Sequence, residues 1–274
     1  MRKATSQGRT LQWDNKCTDK VHIVPVKSFT QGKRVYKSAS RLAFRPNGRY
    51  TRAIVSSILQ ALNTGSARAL EVSGREIQTG IFKQSVTDPL ELAVLGFVSD
   101  VQINRKYHGG PDKAVCAYAS EHYDFWAKVL GRELPNGSFG ENFTLSGLLE
   151  DQVQIGDVFK VGTARVQISQ PRQPCGTLAA RFGIKNFVKQ VVDSGMTGWY
   201  FRVLEPGTVR AGDRLELLSH GEVSVQAANL VMHQKKTPRE KIENLLAQPA
   251  LSQAWRDQLE NRLNVSSNQT KESV

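Results

Sequence analysis

From residue 70 onward short apolar runs alternate with turn residues, whereas the first 68 residues show little such rhythm. Residues 77–82 (Ile-Gln-Thr-Gly-Ile-Phe) read as a first strand, residues 92–103 as a strand pair around Gly96, and residues 115–118 as a buried strand. Residues 164–168 alternate, which puts Val166 and Ile168 on one face, and Pro171 and Pro174 are expected to stop that ladder. Two segments, 153–159 and 208–215, each place Gly-Asp between apolar positions, a tight-corner signal. Many short strands joined by such corners predict a small, mostly antiparallel barrel.

The period changes in three places. Residues 120–130 predict a helix capped by Ser120, with Glu121 in the first turn, a stripe of Tyr123, Trp126, Ala127 and Leu130, and Gly131 as terminator. Leu178, Ala179, Phe182, Phe187, Val188, Val191 and Val192 fit short helices broken at Gly183. After residue 219, segments 224–232, 238–247 and 252–263 predict three helices. The second opens on a capping-box pattern of Thr237, Pro238 and Glu240. Trp255, Leu259 and Leu263 lie at core spacing, and a polar tail is expected over 265–274. Within the first 68 residues only 51–62 has a helical look, from Ile54, Val55, Ile58, Leu59 and Leu62.

Charge sharpens that boundary. The net charge of +12 lies wholly in residues 1–68, which hold 14 basic and 2 acidic residues; the remainder holds 23 of each. A disordered basic extension, an organellar transit peptide and a nucleic-acid arm all fit such a composition. Three cysteines (Cys17, Cys116 and Cys175) form no CxxC or zinc spacing, which points to a reducing compartment without a disulfide framework. No apolar run has transmembrane length and no secretory leader is legible, so a cytoplasmic location is expected, with no membrane partner. Walker A, GxGxxG, HExxH and GxSxG patterns are absent from the sequence, as is a ferredoxin-type cysteine set.

The candidate chemistry gathers in a few loops. Ser169-Gln170-Pro171-Arg172-Gln173-Pro174-Cys175-Gly176 carries a thiol on stiff backbone, with a guanidinium three residues before it to favour a thiolate. In Lys106-Tyr107-His108-Gly109-Gly110-Pro111-Asp112-Lys113 the paired glycines can form an anion-binding nest, with Lys106, His108 and Lys113 beside it. His108 and Lys106 suit either an anion contact or a proton relay, and Asp112 could be wholly structural. Trp199 and Tyr200 serve equally as an aromatic wall or as core. Cys116, inside an apolar strand, reads as a packed small hydrophobe.

These segments, together with Gly140-Glu141-Asn142-Phe143, Gly156-Asp157, Gly198-Trp199-Tyr200 and Pro206-Gly207, resemble the MOSC family over roughly residues 75–220. Within it the chain looks most like the YiiM-type proteins, which append a three-helix domain. The resemblance implies an α+β protein: a MOSC-type antiparallel barrel with inserted helices over 70–220, a three-helix domain over 223–264, and a basic extension over 1–68. YiiM-type chains usually begin near the first barrel strand, so the extension is also open to being a stretch upstream of the natural start.

The same resemblance implies a molybdenum-cofactor enzyme that reduces N-hydroxylated compounds such as 6-N-hydroxylaminopurine. Cys175 would be the metal ligand, and Cys175, His108 and Lys106 would be catalytic. Lys106, His108, Gly109, Gly110, Asp112, Lys113, Gly140, Glu141, Asn142 and Arg172 would, with Cys175, bind the cofactor. The implied partners are a small N-hydroxylated substrate and a separate electron-donating reductase, with a homodimer compatible. The alternatives are a cofactor carrier or sulfur-transfer module, and a nucleic-acid-binding protein working through the extension. The charge-balanced barrel itself is not expected to hold a polynucleotide.

Overall fold

The computed structural model describes residues 57–104, 108–234 and 236–271, plus the backbone of short strands between 29 and 52; side chains are described as far as residue 265. In the first 55 residues, Phe29–Thr30 pairs with Val35–Tyr36 and Leu42–Phe44 with Tyr50–Arg52. The rest of the expected extension, Cys17 included, lies outside the described residues. A separate compact unit runs from Ser56 to the end of the chain.

Seven strands of that unit close into a barrel: β1 Ser57–Thr64, β2 Val115–Ala119, β3 Phe143–Ser146, β4 Val158–Val161, β5 Ala164–Pro171, β6 Trp199–Glu205 and β7 Arg214–Ser219. Around the barrel the order is β3-β2-β6-β5-β4-β7-β1, and β1 returns to β3. Every pairing is antiparallel except β2 with β3, whose crossover carries a helix. Leu59, Val115, Phe143, Leu145, Phe159, Val166, Ile168 and Phe201 fill the interior. Closure leaves no edge among these strands, although Gln84–Val86 adds to β1.

β1 corrects two expectations. Residues 51–62 were to be helical and 1–68 an extension, but residues 57–64 form a barrel strand with Leu59 and Leu62 fully buried. Leu59, Ala61, Leu62 and Asn63 are all buried because partners cover both faces, and that double cover erases the two-residue alternation that marks a strand in sequence. The next strands also fall differently. Of residues 77–82 only 77–79 are strand, in a hairpin of Arg68–Val72 and Arg75–Thr79 that turns at Ser73-Gly74, and 80–82 leave the ladder. The expected pair over 92–103 is Leu90–Ala93 with Gly96–Phe97, after which 98–104 runs as irregular chain. Both Gly-Asp corners form: Asp157 accepts from the backbone N–H of Gln154 (2.8 Å) and Gly221 (2.8 Å), and Asp213 from that of Arg210 (2.9 Å).

Three helices lie on the outside of the barrel near the site: α1 Tyr123–Leu130, α2 Gly176–Phe182 and α3 Phe187–Ser194. Their apolar stripes meet β2 in a second cluster of Tyr118, Trp126, Phe139, Leu178 and Phe187. A 3-10 turn, Ser120–His122, precedes α1, and Ser120 Oγ bonds to Glu121 in place of capping the helix. Gly131 and Gly183 terminate α1 and α2 in the left-handed conformation.

The C-terminal helices are α4 Val225–His233, α5 Arg239–Leu246 and α6 Gln253–Lys271. Ser224 caps α4, its Oγ accepting from Ala227 N at 3.1 Å. The capping box expected at α5 does not form: Thr237 donates to the carbonyls of Val231 and Gln234, which fastens the α4–α5 turn. α6 continues to Lys271, into the segment expected to be a polar tail. Val225, Ala228, Ile242, Leu245, Trp255 and Leu259 share one core with the barrel, and Ser252 N donates to Ser169 O at 3.0 Å, on the strand that leads into the cysteine loop.

Candidate functional site

β5 delivers the thiol. Its ladder with β6 runs through Pro171 to Arg172, whose N–H donates to Gly198 O at 3.0 Å, so pairing outlasts the first proline. A proline survives there because a bulge between Ile168 and Gln170 shifts the register. Cys175 then stands at the N-cap of α2, half-buried, on the wall of a cavity of about 580 Å³.

The floor of the cavity is polar and buried. Arg172, Tyr200, Cys116 and Asn142 reach it from β5, β6, β2 and the loop before β3. One wall is made by two extended segments, 77–83 and 100–104. They lie too close for a side chain at position 80, where a Cβ would sit 2.0 Å from Val101 O. Gly140, at φ 79°, packs on Ile81, whose Cγ1 would lie 2.8 Å from a Cβ there. Lys83 and Asp100 form a buried ion pair in this wall, and Asp100 also accepts from Gly65 N (2.9 Å) and Asn142 Nδ2 (2.9 Å). Asn142 Oδ1 in turn accepts from Cys116 N at 3.1 Å, which joins β1, β2 and the wall in one network.

The two thiols behave oppositely. Burial opposes ionisation of Cys175, but the hydrogen bond and charge of His108, the Leu178 N–H and the Arg172 guanidinium outweigh it and bring the thiol down to about 6. Burial pushes the Cys116 thiol up despite Arg172, and it does the same to the Tyr200 hydroxyl that bonds to Cys116. Burial also works against the charge on Arg172, yet Cys116, Tyr200, Cys175 and Glu141 together bind its proton more tightly than usual. Burial lowers Lys113, with Asp112 opposing. One thiolate thus stands among cationic groups at neutral pH.

Of the residues picked out in the sequence, Cys175, His108, Lys113, Gly140, Asn142 and Arg172 line this one cavity. Lys106 lies outside the described residues. Gly109 and Gly110 do not line it; Gly110, at φ 88°, opens the 3-10 turn Pro111–Lys113 that carries Lys113 to the wall. Asp112 and Glu141, assigned to cofactor binding, point elsewhere. Asp112 receives Arg202 (2.7 and 3.0 Å) and the Gln253 N–H (3.3 Å), tying β6 to α6. Glu141 is fully buried and accepts from Tyr123 Oη, Gly137 N, Phe139 N and Thr144 Oγ1, so its oxygens are spent on loop structure. Cys116, read as a packed hydrophobe, is both buried and part of the floor. Lys83, Asp100 and Thr177 were not foreseen; a charge at position 83 inside a β-like run is the single hint the sequence offers.

A second polar cluster supports the site from behind. His122 Nε2 lies 2.8 Å from Glu150 Oε2, and Glu150 Oε1 accepts from Gly198 N, beside the Arg172 contact. Burial works against protonation of His122, but Glu150, with Glu121 and Asp151, raises it above its usual value of 6.5. A raised histidine contributes its full stability below about 6.5 and loses it as pH climbs through the folded value. Denaturant melts are therefore expected to show stability falling from pH 6.5 upward, and His122→Gln to flatten that fall; an unchanged slope would remove the pair as its cause.

Residues 104–216 match the MOSC domain family and residues 223–265 the YiiM-like, 3-alpha helix domain. The chain is 49% identical to YflK of Bacillus subtilis (strain 168) over 72% of its own length and 90% of that protein. To Protein YiiM of Escherichia coli (strain K12) it is 37% identical, over 67% of this chain and 84% of the other. A protein of Gibberella moniliformis named Reductase is 33% identical over 53% of this chain, but over only 26% of its own length. The crystal structure of YiiM from Geobacillus stearothermophilus superposes with a TM-score of 0.65 at 35% identity, covering 76% of this chain and 99% of that one. MOSC domains are associated with the molybdenum cofactor. The chain belongs to the MOSC family, in the YiiM-like group that carries a C-terminal three-helix domain.

Proposed function

We propose that the protein is a molybdenum-cofactor-dependent reductase of N-hydroxylated compounds, with base analogues such as 6-N-hydroxylaminopurine as its substrate class. The observation that carries this reading is Cys175, a thiol brought to about 6 on the wall of a cavity lined by cationic groups. Soft thiolates suit molybdenum, and the donor set fits the cofactor. Among the described residues no three His, Cys, Asp or Glu side chains converge to hold a metal, so one protein thiolate would complete a metal that brings ligands of its own. Family membership and the reductase-named relative support the redox direction.

Cys175 Sγ would hold the metal, while Arg172, Lys113 and His108 surround it with charge and donors suited to a pterin phosphate. When bound, the cofactor supplies the two-electron chemistry by which R–NHOH, two electrons and two protons become R–NH2 and water. His108 hydrogen-bonds to the sulfur and so keeps the proton off Sγ. Lys113, whose ammonium releases its proton more readily than a free lysine, is placed to return one to the cavity. Tyr200 and Cys116 keep their protons and serve as neutral donors. Electrons would come from a separate reductase.

Purified protein is expected to carry molybdenum and a pterin that fluoresces after oxidation, and to reduce 6-N-hydroxylaminopurine when given an electron donor. Metal retention without turnover would mark a carrier or sulfur-transfer module. Activity restricted to polynucleotides would mark the nucleic-acid reading.

A further inference from the structure

The hairpin over the cavity has two unlike faces. Leu70 pairs with Ile77, Val72 with Arg75 and Arg68 with Thr79, so Leu70, Val72, Ile77 and Thr79 share one face with Arg68 and Arg75, while Glu71, Glu76 and Gln78 share the other. Val72 Cγ1 lies 4.0 Å from where a Cβ on Gly176 would stand, which sets the Leu70, Val72 and Ile77 face over the start of α2, next to Cys175. Ile77 and Thr79 line the cavity, and Ile103 lines it from the second wall segment.

Exposure sorts the lining by depth. Arg172, Tyr200 and Cys116 are 6–7% exposed and form the floor, whereas Ile77 is 37% and Ile103 47% exposed and stand at the mouth. The cavity is therefore charged within and presents two isoleucines at its lips, beside the exposed Gln78 and Asn104. A wholly polar ligand would leave both isoleucines wetted, and a ligand with flat apolar faces would bury them. The narrow fit between segments 77–83 and 101, where position 80 has no room for a side chain, holds the two lips at a set separation.

We propose that Ile77 and Ile103 are specificity-determining residues that grip the faces of an aromatic ring on the substrate, directing its polar N-hydroxyl end toward Cys175. The inference rests on the reductase reading for the reacting group, while the ring grip stands on the shape and polarity of the cavity.

The experiment compares native protein with Ile77→Asp and Ile103→Asp on two substrates: 6-N-hydroxylaminopurine, and N-hydroxyurea, which has no ring. Either variant is expected to raise KM for the purine about tenfold, the scale of a lost apolar contact in a pocket. It should leave kcat within about twofold, and KM for N-hydroxyurea and molybdenum content unchanged. Ile77→Leu should restore the native KM. Calorimetric titration with adenine, an unreactive ring, should weaken in parallel. Equal changes on both substrates, unchanged purine KM, or loss of molybdenum from the variants would overturn the proposal; the last would assign the lips to the cofactor. Should native protein reduce neither substrate, the reductase reading fails and the adenine titration decides alone. Binding that depends on Ile77 then supports the ring grip, and no binding of adenine overturns it.

Discussion

Cys175→Ser is expected to abolish reduction of N-hydroxylated substrate and to strip the metal, while the melting temperature stays near that of native protein. Serine keeps the size of the side chain but replaces a soft anionic donor with a neutral hydroxyl that does not ionise at neutral pH. Loss of a ligand should exceed the ~10–100-fold that loss of a supporting partner costs a metal site. The fold should survive because the side chain is half-buried and outside both apolar clusters. The ionisation behind this can be read without cofactor. Alkylation of Cys175 by iodoacetamide should titrate with a midpoint near 6, and Cys116 should react slowly throughout, since burial raises its pKa. His108→Ala should move the Cys175 midpoint upward, because the histidine is the foremost of the groups that favour the thiolate. A midpoint near 8.5, the value of a free cysteine, would remove the special role given to this thiol.

Removing residues 1–68 is expected to leave no folded protein, whereas a chain beginning at Ser56 should fold with a melting temperature within a few degrees of the full chain. The difference is β1. It closes the barrel by pairing with β3 and β7, and it buries Leu59 and Leu62 completely. Truncating one buried leucine costs about 2–5 kcal/mol, so losing two and their ladders exceeds what a domain stable by about 5–15 kcal/mol can spare. Asn63 adds to the loss, since it donates to Thr144 Oγ1 at 3.0 Å and accepts from Ser85. Circular dichroism and thermal melts of the two truncated chains decide it. A folded 69–274 chain would show that the barrel closes without β1.

Much of this architecture was legible before the structure. The Gly-Asp corners, the breaks at Gly131 and Gly183 and the three C-terminal helices depend on local backbone preference and on the side chains nearest in sequence, and they lie where the pattern puts them. Cys175 and Arg172 were legible for the same reason: two prolines and a guanidinium act on a thiol within four residues of chain. Charge misled at the N-terminus. Arg68 belongs to the covering hairpin and not to an extension, and the basic composition of 1–68 hid a strand that only its partners define.

The sequence by itself determined the corners, the helix ends and the stiff loop that joins Cys175 to Arg172, because each is settled by contacts a few residues apart, whereas His108 reaches the thiol only in the fold. The tertiary structure alone decided that residues 57–64 are a strand, that Asp112 and Glu141 serve the scaffold, and that Lys83 and Asp100 line the cavity. Asp112 turns away because Arg202 and the α6 N-terminus reach it from 90 and 141 residues off, and Asp100 meets Gly65, Lys83 and Asn142 only once the barrel has closed. Partners so distant in the chain leave no local mark, because a residue's role at such a site is fixed by which strands lie beside it.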